Sequence, residues 1–340
     1  MARWGGLRKR LGRRGIAAVA LLLAAGLVAV PLSLRGGGPP KPCVHTACVP
    51  WAELPRPVRA LTPLEAATWG GYVALGDSYS AGEGAYAIPA DTANANRCHR
   101  TSLAYFHLVA QAFTFAKGTG FWACSGATTY DVLHGARGEP PQVDRLSAGT
   151  SLVTISIGGN DSGFSHVLAG CVVRLPFTAG CQGQGDDVAK RLGSLRGGLK
   201  SVLDTIVQRA PNARIIVLGY PRLFSEDSGS DSIGVADQRW LNGWGRALDG
   251  LIREIAGEED QHIVASQGRG TMEFVDAYGA FAGHEVGSGD PFVNGLDMNL
   301  MSMSVGAGSY HPTAGGYQEL AALIGRQVVQ GPGREIRQFQ

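Results

Sequence analysis

A serine at position 78 stands in a segment suited to nucleophilic chemistry. The segment Gly76-Asp77-Ser78-Tyr79-Ser80 follows a short apolar run, residues 72–75, which predicts a buried strand that ends in a turn. A serine on such a turn is accessible, but its hydroxyl becomes a good nucleophile only when a neighbouring base removes the proton. A serine at a helix start is also a common N-cap, so this segment alone leaves both interpretations open.

A histidine at position 311 is the candidate base. Histidine titrates near neutral pH and is the side chain that most often accepts a proton in catalysis. In Ser309-Tyr310-His311-Pro312-Thr313, the proline and threonine predict the start of the last helix, so the imidazole is fixed at its entry. A lone histidine is more often structural, and the base assignment therefore depends on the other segments.

Two further segments offer hydrogen-bond donors. In Gly158-Gly159-Asn160-Asp161, the glycines let a ligand approach the backbone, and the Asn160 amide can donate to a developing oxyanion. In Cys124-Ser125-Gly126, the glycine presents its N–H without side-chain obstruction. Taken singly, the first is equally typical of an ordinary turn and the second of a disulfide-anchored loop.

The elements that would position these residues alternate between strand and helix. This alternation predicts βαβ units and a mainly parallel sheet that is covered on both faces. In such sheets the site lies beyond the carboxyl ends of the strands, where Ser78 and Asn160 fall. The predicted strands are residues 72–75, part of 113–123, 152–157, 214–219 and 272–277; the predicted helices are 102–113, 195–209, 236–256 and 313–329.

In their order along the chain, Ser78, Gly126, Asn160 and His311 resemble the four motifs of the SGNH hydrolases, also called GDSL-type lipases and esterases. The resemblance covers about residues 70–330 and is closest to the secreted bacterial lipase branch. It implies a three-layer α/β/α sandwich with a five-stranded parallel sheet. It also implies that Ser78 is the nucleophile, that His311 is the base, and that the Ser78 amide, the Gly126 amide and the Asn160 side chain form the oxyanion hole. No metal or organic cofactor is required.

One position departs from the family pattern beside the base. The family often has an aspartate three residues before the histidine, where this chain has Gly308. We therefore expect a backbone carbonyl, of Ser309 or Gly308, to orient the imidazole, which gives a Ser–His dyad rather than a triad. Two carboxylates elsewhere in the chain remain as alternatives, Asp276 and Asp290.

The six cysteines favour disulfides, because an even number in an exported chain is typical of them, although many pairings are possible. Order along the chain suggests Cys43–Cys48, Cys98–Cys124 and Cys171–Cys181, and the last two match the family's pairing. Relatives carry a cysteine where this chain has Gly287, so we expect a looser loop at residues 284–300. The spacing of cysteine and histidine residues does not favour a zinc site.

The N-terminal segment predicts export. Six basic residues and no acidic residue lie within residues 1–14, and an apolar run follows at residues 15–34. This pattern is typical of a cleaved signal peptide or an uncleaved membrane anchor. Without those six charges, the formal net charge of +2 becomes 2 − 6 = −4, which does not favour nucleic-acid binding. The predicted organisation is a signal or anchor at 1–34, a Pro/Gly-rich linker at 35–69, the hydrolase domain at 70–330 and a tail at 331–340.

The predicted function is hydrolysis of carboxylic esters at an extracellular or cell-envelope location, by a monomer. A lipid or phospholipid ester is the leading substrate class, followed by a short-chain or sugar acetyl ester. An acyltransferase and a non-catalytic envelope protein that binds lipid or glycan are the alternatives. Apolar residues near the motifs are candidates for an acyl pocket, although packing explains each equally well: Phe164, Val167, Leu168, Val172, Val173, Leu175, Phe177, Met298, Met301 and Met303.

Overall fold

The computed structural model describes residues 43–44, 47–48, 58–85, 97–172, 180–230, 233–299 and 304–339. The chain divides into two compact units, residues 1–56 and residues 57–340. In the first unit, strands β1 (Cys43–Val44) and β2 (Ala47–Cys48) pair antiparallel. The side chains of Cys43 and Cys48, and with them the expected disulfide, lie outside the described part of the structure, as does the signal or anchor at residues 1–34. No helix within the described ranges is long and apolar enough to cross a membrane.

The second unit alternates strands with helices, as the sequence predicts. Its described strands are β3 (Val58–Leu61), β4 (Gly71–Gly76), β5 (Thr119–Phe121), β6 (Thr150–Ser156), β7 (Arg214–Leu218), β8 (Thr271–Val275), β9 (Met298–Asn299), β10 (Ser304–Val305) and β11 (Ile336–Phe339). Its described α-helices are α1 (Pro63–Thr68), α2 (Ser78–Ala81), α3 (Tyr105–Ala112), α4 (Thr129–His134), α5 (Phe164–Val172), α6 (Gly185–Arg209), α7 (Val235–Ala265), α8 (Ala277–Ala280) and α9 (Ala314–Gln330).

The centre of this unit is a five-stranded parallel sheet in the order β5-β4-β6-β7-β8. Every residue of β6 and β7 is buried. Neither strand therefore alternates between polar and apolar residues: β7 is an apolar run after Arg214, and β6 carries only the small hydroxyl residues Ser and Thr beside its apolar ones. Strands β4 and β6 are neighbours, and Gly76 pairs with Ser156 at their carboxyl ends. The turns that carry Ser78 and Asn160 therefore leave the sheet side by side.

Helices cover both faces of the sheet and complete the expected α/β/α sandwich. In β4, Tyr72 and Ala74 belong to a core that includes residues of α3 and α9. The intervening residues, Val73 and Leu75, belong to a second core that includes residues of α6 and α7. The alternation of side chains along each strand thus divides the interior into two apolar layers.

Helix α6 is longer than the sequence pattern indicates. The apolar spacing predicts a helix from residue 195, but α6 begins at Gly185. Asp186 and Asp187 lie in its first turn, where negative charge is favourable near the helix N-terminus. Gly185 and Gly193 lower the helix propensity of the segment before residue 195 and hide it from a pattern-based assignment.

A buried ion pair fastens the amino-terminal edge of the sheet. Arg214, the first residue of β7, is 1% exposed and binds Glu273 of β8 through two hydrogen bonds of 2.8 and 2.6 Å. The same guanidinium donates to the carbonyl oxygens of Pro63, Gln327 and Val328. Helices α1 and α9 are thereby tied to the sheet, and β3 pairs with β11 beside them. The compact unit thus includes elements before residue 70 and after residue 330.

Replacement of Arg214 by methionine is expected to lower the free energy of unfolding by about 3–5 kcal/mol, because the charge of Glu273 stays buried without its partner. Urea unfolding monitored by circular dichroism measures the loss. In Arg214→Met/Glu273→Gln the buried charge is gone, and about half of the lost stability should return. Equal losses in the single and double variants would show that the charge is not the cause.

Candidate active site

The turn after β4 presents Ser78 at the edge of the sheet. Gly76 has a φ of +121°, and a Cβ there would lie 2.3 Å from the carbonyl oxygen of Ser156, so the turn requires glycine. Asp77 is the N-cap of α2, and its side chain accepts a hydrogen bond of 3.0 Å from the Tyr79 amide. Ser78 is therefore not the cap but the first residue of α2, where its own amide has no acceptor within the helix.

The imidazole of His311 lies against this serine. His311 Nε2 is 2.8 Å from Ser78 Oγ, and His311 Nδ1 is 3.0 Å from the carbonyl oxygen of Ser309. Because a carbonyl oxygen only accepts, Nδ1 carries the proton, and Nε2 is free to accept the hydroxyl proton of Ser78. The structure thus places the nitrogen of His311 that can accept a proton against the hydroxyl of Ser78.

Of the two candidate carbonyls, that of Ser309 is the one hydrogen-bonded to the His311 ring. The Gly308 carbonyl, the other candidate, accepts from the backbone amide of His311 rather than from its ring. Asp276 caps α8 and pairs with Arg253 at 2.7 Å. The side chain of Asp290 is 82% exposed and lies 3.6 Å from His284. Both carboxylates thus have partners other than the base.

Burial lowers the pKa of His311 below its ordinary value, while the negative charge of Glu83 and the hydrogen bond to Ser309 act in the opposite direction. A lowered pKa keeps the imidazole neutral at neutral pH. Neutral imidazole is the form that accepts a proton from a serine hydroxyl.

The expected donors of the oxyanion hole share a cavity with Ser78 and His311. The cavity has a volume of about 200 Å³, and both Gly126 and Asn160 line it. The Cys98–Cys124 disulfide anchors the loop of Gly126, which has a φ of +83°. One N–H of the Asn160 amide donates to the Ala127 carbonyl at 2.9 Å, which leaves the second for a ligand. The second expected disulfide within the described residues, Cys171–Cys181, is also present.

A tyrosine that the sequence analysis did not single out joins these two motifs. Tyr220 donates a hydrogen bond of 2.5 Å to Asp77 and accepts one of 2.8 Å from the Gly159 amide. Its own amide donates to Asp249. Burial raises the pKa of Asp77 to about 6, and the hydrogen bond from Tyr220 acts in the opposite direction. Tyr220 follows β7 at the same sheet edge as Ser78, which is the one sequence signal that points to it.

The apolar part of the cavity lining comes largely from α7. Phe164, the candidate from the sequence, lines it and stacks on Trp244 with ring centroids 5.4 Å apart. Val167 and Leu168 are buried in the core instead, and Val172 packs against that core. The further wall residues from the long helix and the loop before it are Leu223, Leu241 and Leu248. The side chains of Val173, Leu175, Phe177, Met298, Met301 and Met303 lie outside the described residues.

Within the described ranges, no group of three or more His, Cys, Asp or Glu side chains is arranged to hold a metal ion.

Comparison with known proteins places these features in a family. Residues 74–319 match the model of the GDSL-like Lipase/Acylhydrolase family. Lipase 1 of Streptomyces coelicolor is 36% identical over 247 residues, which cover 72% of this chain and 82% of that protein. The crystal structure of phospholipase A1 from Streptomyces albidoflavus NA297 is 33% identical, with a TM-score of 0.64, over 76% of this chain and 99% of that one. The extracellular lipase of Streptomyces rimosus is 29% identical, with a TM-score of 0.62 and the same coverage.

The Gly126 amide provides a test of the donor set. In Gly126→Ala, the backbone φ of +83° is one that alanine rarely adopts, and the added Cβ also meets the Arg137 guanidinium at 2.8 Å, so the loop is strained. We expect the kcat for an activated ester to fall by about 100-fold, as for removal of one oxyanion donor. Gly118→Ala is the matched control, because Gly118 also has a positive φ, of +77°, but nothing lies within 4 Å. Equal losses in both variants would assign the effect to backbone strain alone.

Proposed function

Since this chain belongs to the GDSL-like lipase/acylhydrolase family, we propose that Ser78 is its nucleophile and that His311 is its general base. The family and the related lipases show that the protein is a carboxylic ester hydrolase. The observation that supports the two roles is the hydrogen bond of 2.8 Å between Ser78 Oγ and His311 Nε2. The hydrogen bond of Nδ1 to Ser309 supports the dyad form of this machinery.

The reaction proceeds in two half-reactions. His311 Nε2 takes the proton of Ser78 while Oγ attacks the ester carbonyl carbon, and the carbonyl electron pair moves onto oxygen. The amides of Ser78 and Gly126 and the Asn160 side chain hold this oxyanion, each contributing ~3 kcal/mol. The imidazolium then gives its proton to the leaving alcohol. Water, deprotonated by the same imidazole, attacks the acyl-enzyme, and the carboxylic acid leaves as Ser78 recovers its proton.

A lipid ester is the substrate class that the cavity favours. The acyl chain lies against the apolar wall of Phe164, Leu241 and Trp244, where its transfer from water is favourable by about 0.8 kcal/mol per CH₂. The lining also includes polar residues, among them Ser125 and Arg137 at the Gly126 loop. A lining with both characters suits an amphipathic ester, and one relative of 33% identity is a phospholipase A1.

Export agrees with the same proposal. The two described disulfides are typical of an oxidising compartment, and a relative of 29% identity is an extracellular lipase. Cleavage of the N-terminal segment, the 70–330 domain boundary, the monomeric state and the lack of nucleic-acid binding stay predictions from the sequence.

Replacement of Ser78 by alanine is expected to lower the kcat for p-nitrophenyl butyrate by at least about 10⁴-fold, because the nucleophile is lost. His311→Gln should lose a similar amount. The matched control is Ser165→Ala, which removes another serine of the same cavity and should keep most of the activity. A fluorophosphonate should label the wild type and Ser165→Ala, but not Ser78→Ala. Full turnover or labelling of folded Ser78→Ala would refute the assignment.

Trp244 tests the proposed acyl wall. In Trp244→Ala, kcat/KM for a p-nitrophenyl ester of a long acyl chain should fall at least about tenfold more than for the acetyl ester, because only the long chain loses this apolar contact. Trp240→Ala is the matched control, since Trp240 is in the same helix and packs against the same core but does not line the cavity. A uniform loss for all chain lengths would argue against an acyl pocket at this wall.

A further inference from the structure

We propose that Glu83 is a positioning residue that stabilises the imidazolium form of His311 from the wall of the same cavity, in place of the carboxylate that the family often carries before the histidine. This inference rests on the proposed Ser–His mechanism. It assigns a function to a buried acid that lies five residues after the nucleophile and outside the four motifs of the sequence analysis.

The backbone of Glu83 is fixed to the nucleophile. The amide of Glu83 donates to the Ser78 carbonyl at 3.1 Å. The Tyr317 hydroxyl, from α9, lies 2.8 Å from the Glu83 carbonyl oxygen and 3.3 Å from that of Ser78, and donates to them. The turn after α2 therefore holds Glu83 at a set position relative to Ser78.

Gly84, the residue after Glu83, is held beside His311 by a shared hydrogen-bond donor. Asn294 Nδ2 donates to the Gly84 carbonyl at 2.9 Å and to the His311 carbonyl at 3.0 Å. The two backbones approach so closely that a Cβ on Gly84 would lie 2.8 Å from His311 Cβ. Glu83 thus belongs to the segment that packs directly against His311, and both residues line the cavity.

The charge of Glu83 is poorly screened by water. Glu83 is 5% exposed, and its carboxylate lies 2.9 Å from His99 Nδ1. His99 has a left-handed backbone with a φ of 51° and follows Cys98, whose disulfide to Cys124 anchors it. Such a backbone is strained in a non-glycine residue and persists where the surroundings impose it. The fold therefore maintains a hydrogen-bonded carboxylate in the cavity wall.

The other charged and titratable groups around His311 have their own partners or lie on other parts of the wall. Asp77 binds Tyr220, and Asp161 accepts from Thr129. Glu83 is the carboxylate whose attraction opposes the lowering of the pKa of His311 by burial. The other titratable or charged groups that the described residues bring near His311 are the Arg137 guanidinium beside Gly126, the His99 imidazole, the hydroxyls of Tyr79, Tyr278, Tyr310 and Tyr317, and the carboxylate of Asp297 near Gly306.

The chemical consequence follows from the proton transfer. When the proton moves from Ser78 Oγ to His311 Nε2, the imidazole becomes positive, and a carbonyl partner at Nδ1 stabilises that charge less than a carboxylate does. A buried negative charge in the same cavity supplies the missing stabilisation through the low-dielectric interior. No bond to Glu83 forms or breaks during the reaction.

Glu83→Gln tests this proposal, because it removes the charge and keeps a group that bonds to His99. With p-nitrophenyl butyrate, kcat should fall about tenfold with KM within about twofold. The acid limb of kcat/KM should move to lower pH by up to about one pH unit, since loss of a negative neighbour lowers the pKa of His311 and one unit is a tenfold change in its equilibrium constant. A purely structural role for Glu83 would not move this limb.

Glu285→Gln is the matched control. Glu285 is also 5% exposed and is paired with Arg222 at 3.0 Å, but it does not line the cavity. Its substitution should leave the acid limb and kcat unchanged. If Glu83→Gln does not fold, Glu83→Gln/His99→Gln provides a neutral amide pair at the same place, and the same shift is expected.

A folded Glu83→Gln variant whose acid limb coincides with that of the wild type would overturn the inference, as would an equal shift in Glu285→Gln. If either of these results is obtained and the Ser78→Ala variant is inactive, the Ser–His mechanism stands and only the role of Glu83 fails. If Ser78→Ala keeps its turnover, the mechanism itself fails.

Discussion

Parallel pairing of β4 with β6 is the constraint on which the site depends. The register that places Gly76 beside Ser156 brings the two following turns out at one edge, although their sequences are some 80 residues apart. Asp77 then joins the turns, because it accepts hydrogen bonds from Ser156 and from Tyr220, and Tyr220 also accepts from Gly159. Displacement of either strand would separate Ser78 from Asn160.

The electrostatics of the site are those of a buried base with a weak orienting partner. The Ser309 carbonyl sets the tautomer of His311, which geometry alone can do, but it adds no full negative charge. Burial lowers the pKa of His311, which favours the neutral base yet makes the imidazolium intermediate costly. In our proposal the Glu83 carboxylate at the cavity wall moderates this cost.

The fold and the approach of His311 to Ser78 could be predicted from the sequence, because the fold follows from local patterns and the pairing from the order of the four motifs, which resembles that of a known family. Apolar runs followed by Gly76-Asp77-Ser78 and by Gly158-Gly159-Asn160 mark strand ends, and the strand–helix alternation predicts the parallel sheet. Tyr220, Glu83 and the α7 wall depend on contacts between distant segments, and their own surroundings carry no motif. Trp244 and Leu241 read as an ordinary helix stripe, because a core position and a cavity position share the same spacing.

The cavity also explains why the motifs are rich in glycine. Gly76, Gly126 and Gly158 all have positive φ, and a Cβ at each would lie within 3.0 Å of a neighbour. These neighbours are the Ser156 backbone, the Arg137 guanidinium and the Leu195 side chain, which belong to three different parts of the unit. Glycine therefore lets these turns pack against the elements behind them. In the proposed mechanism the donors on these turns are fixed before the charge develops, so they can hold an oxyanion without rearrangement.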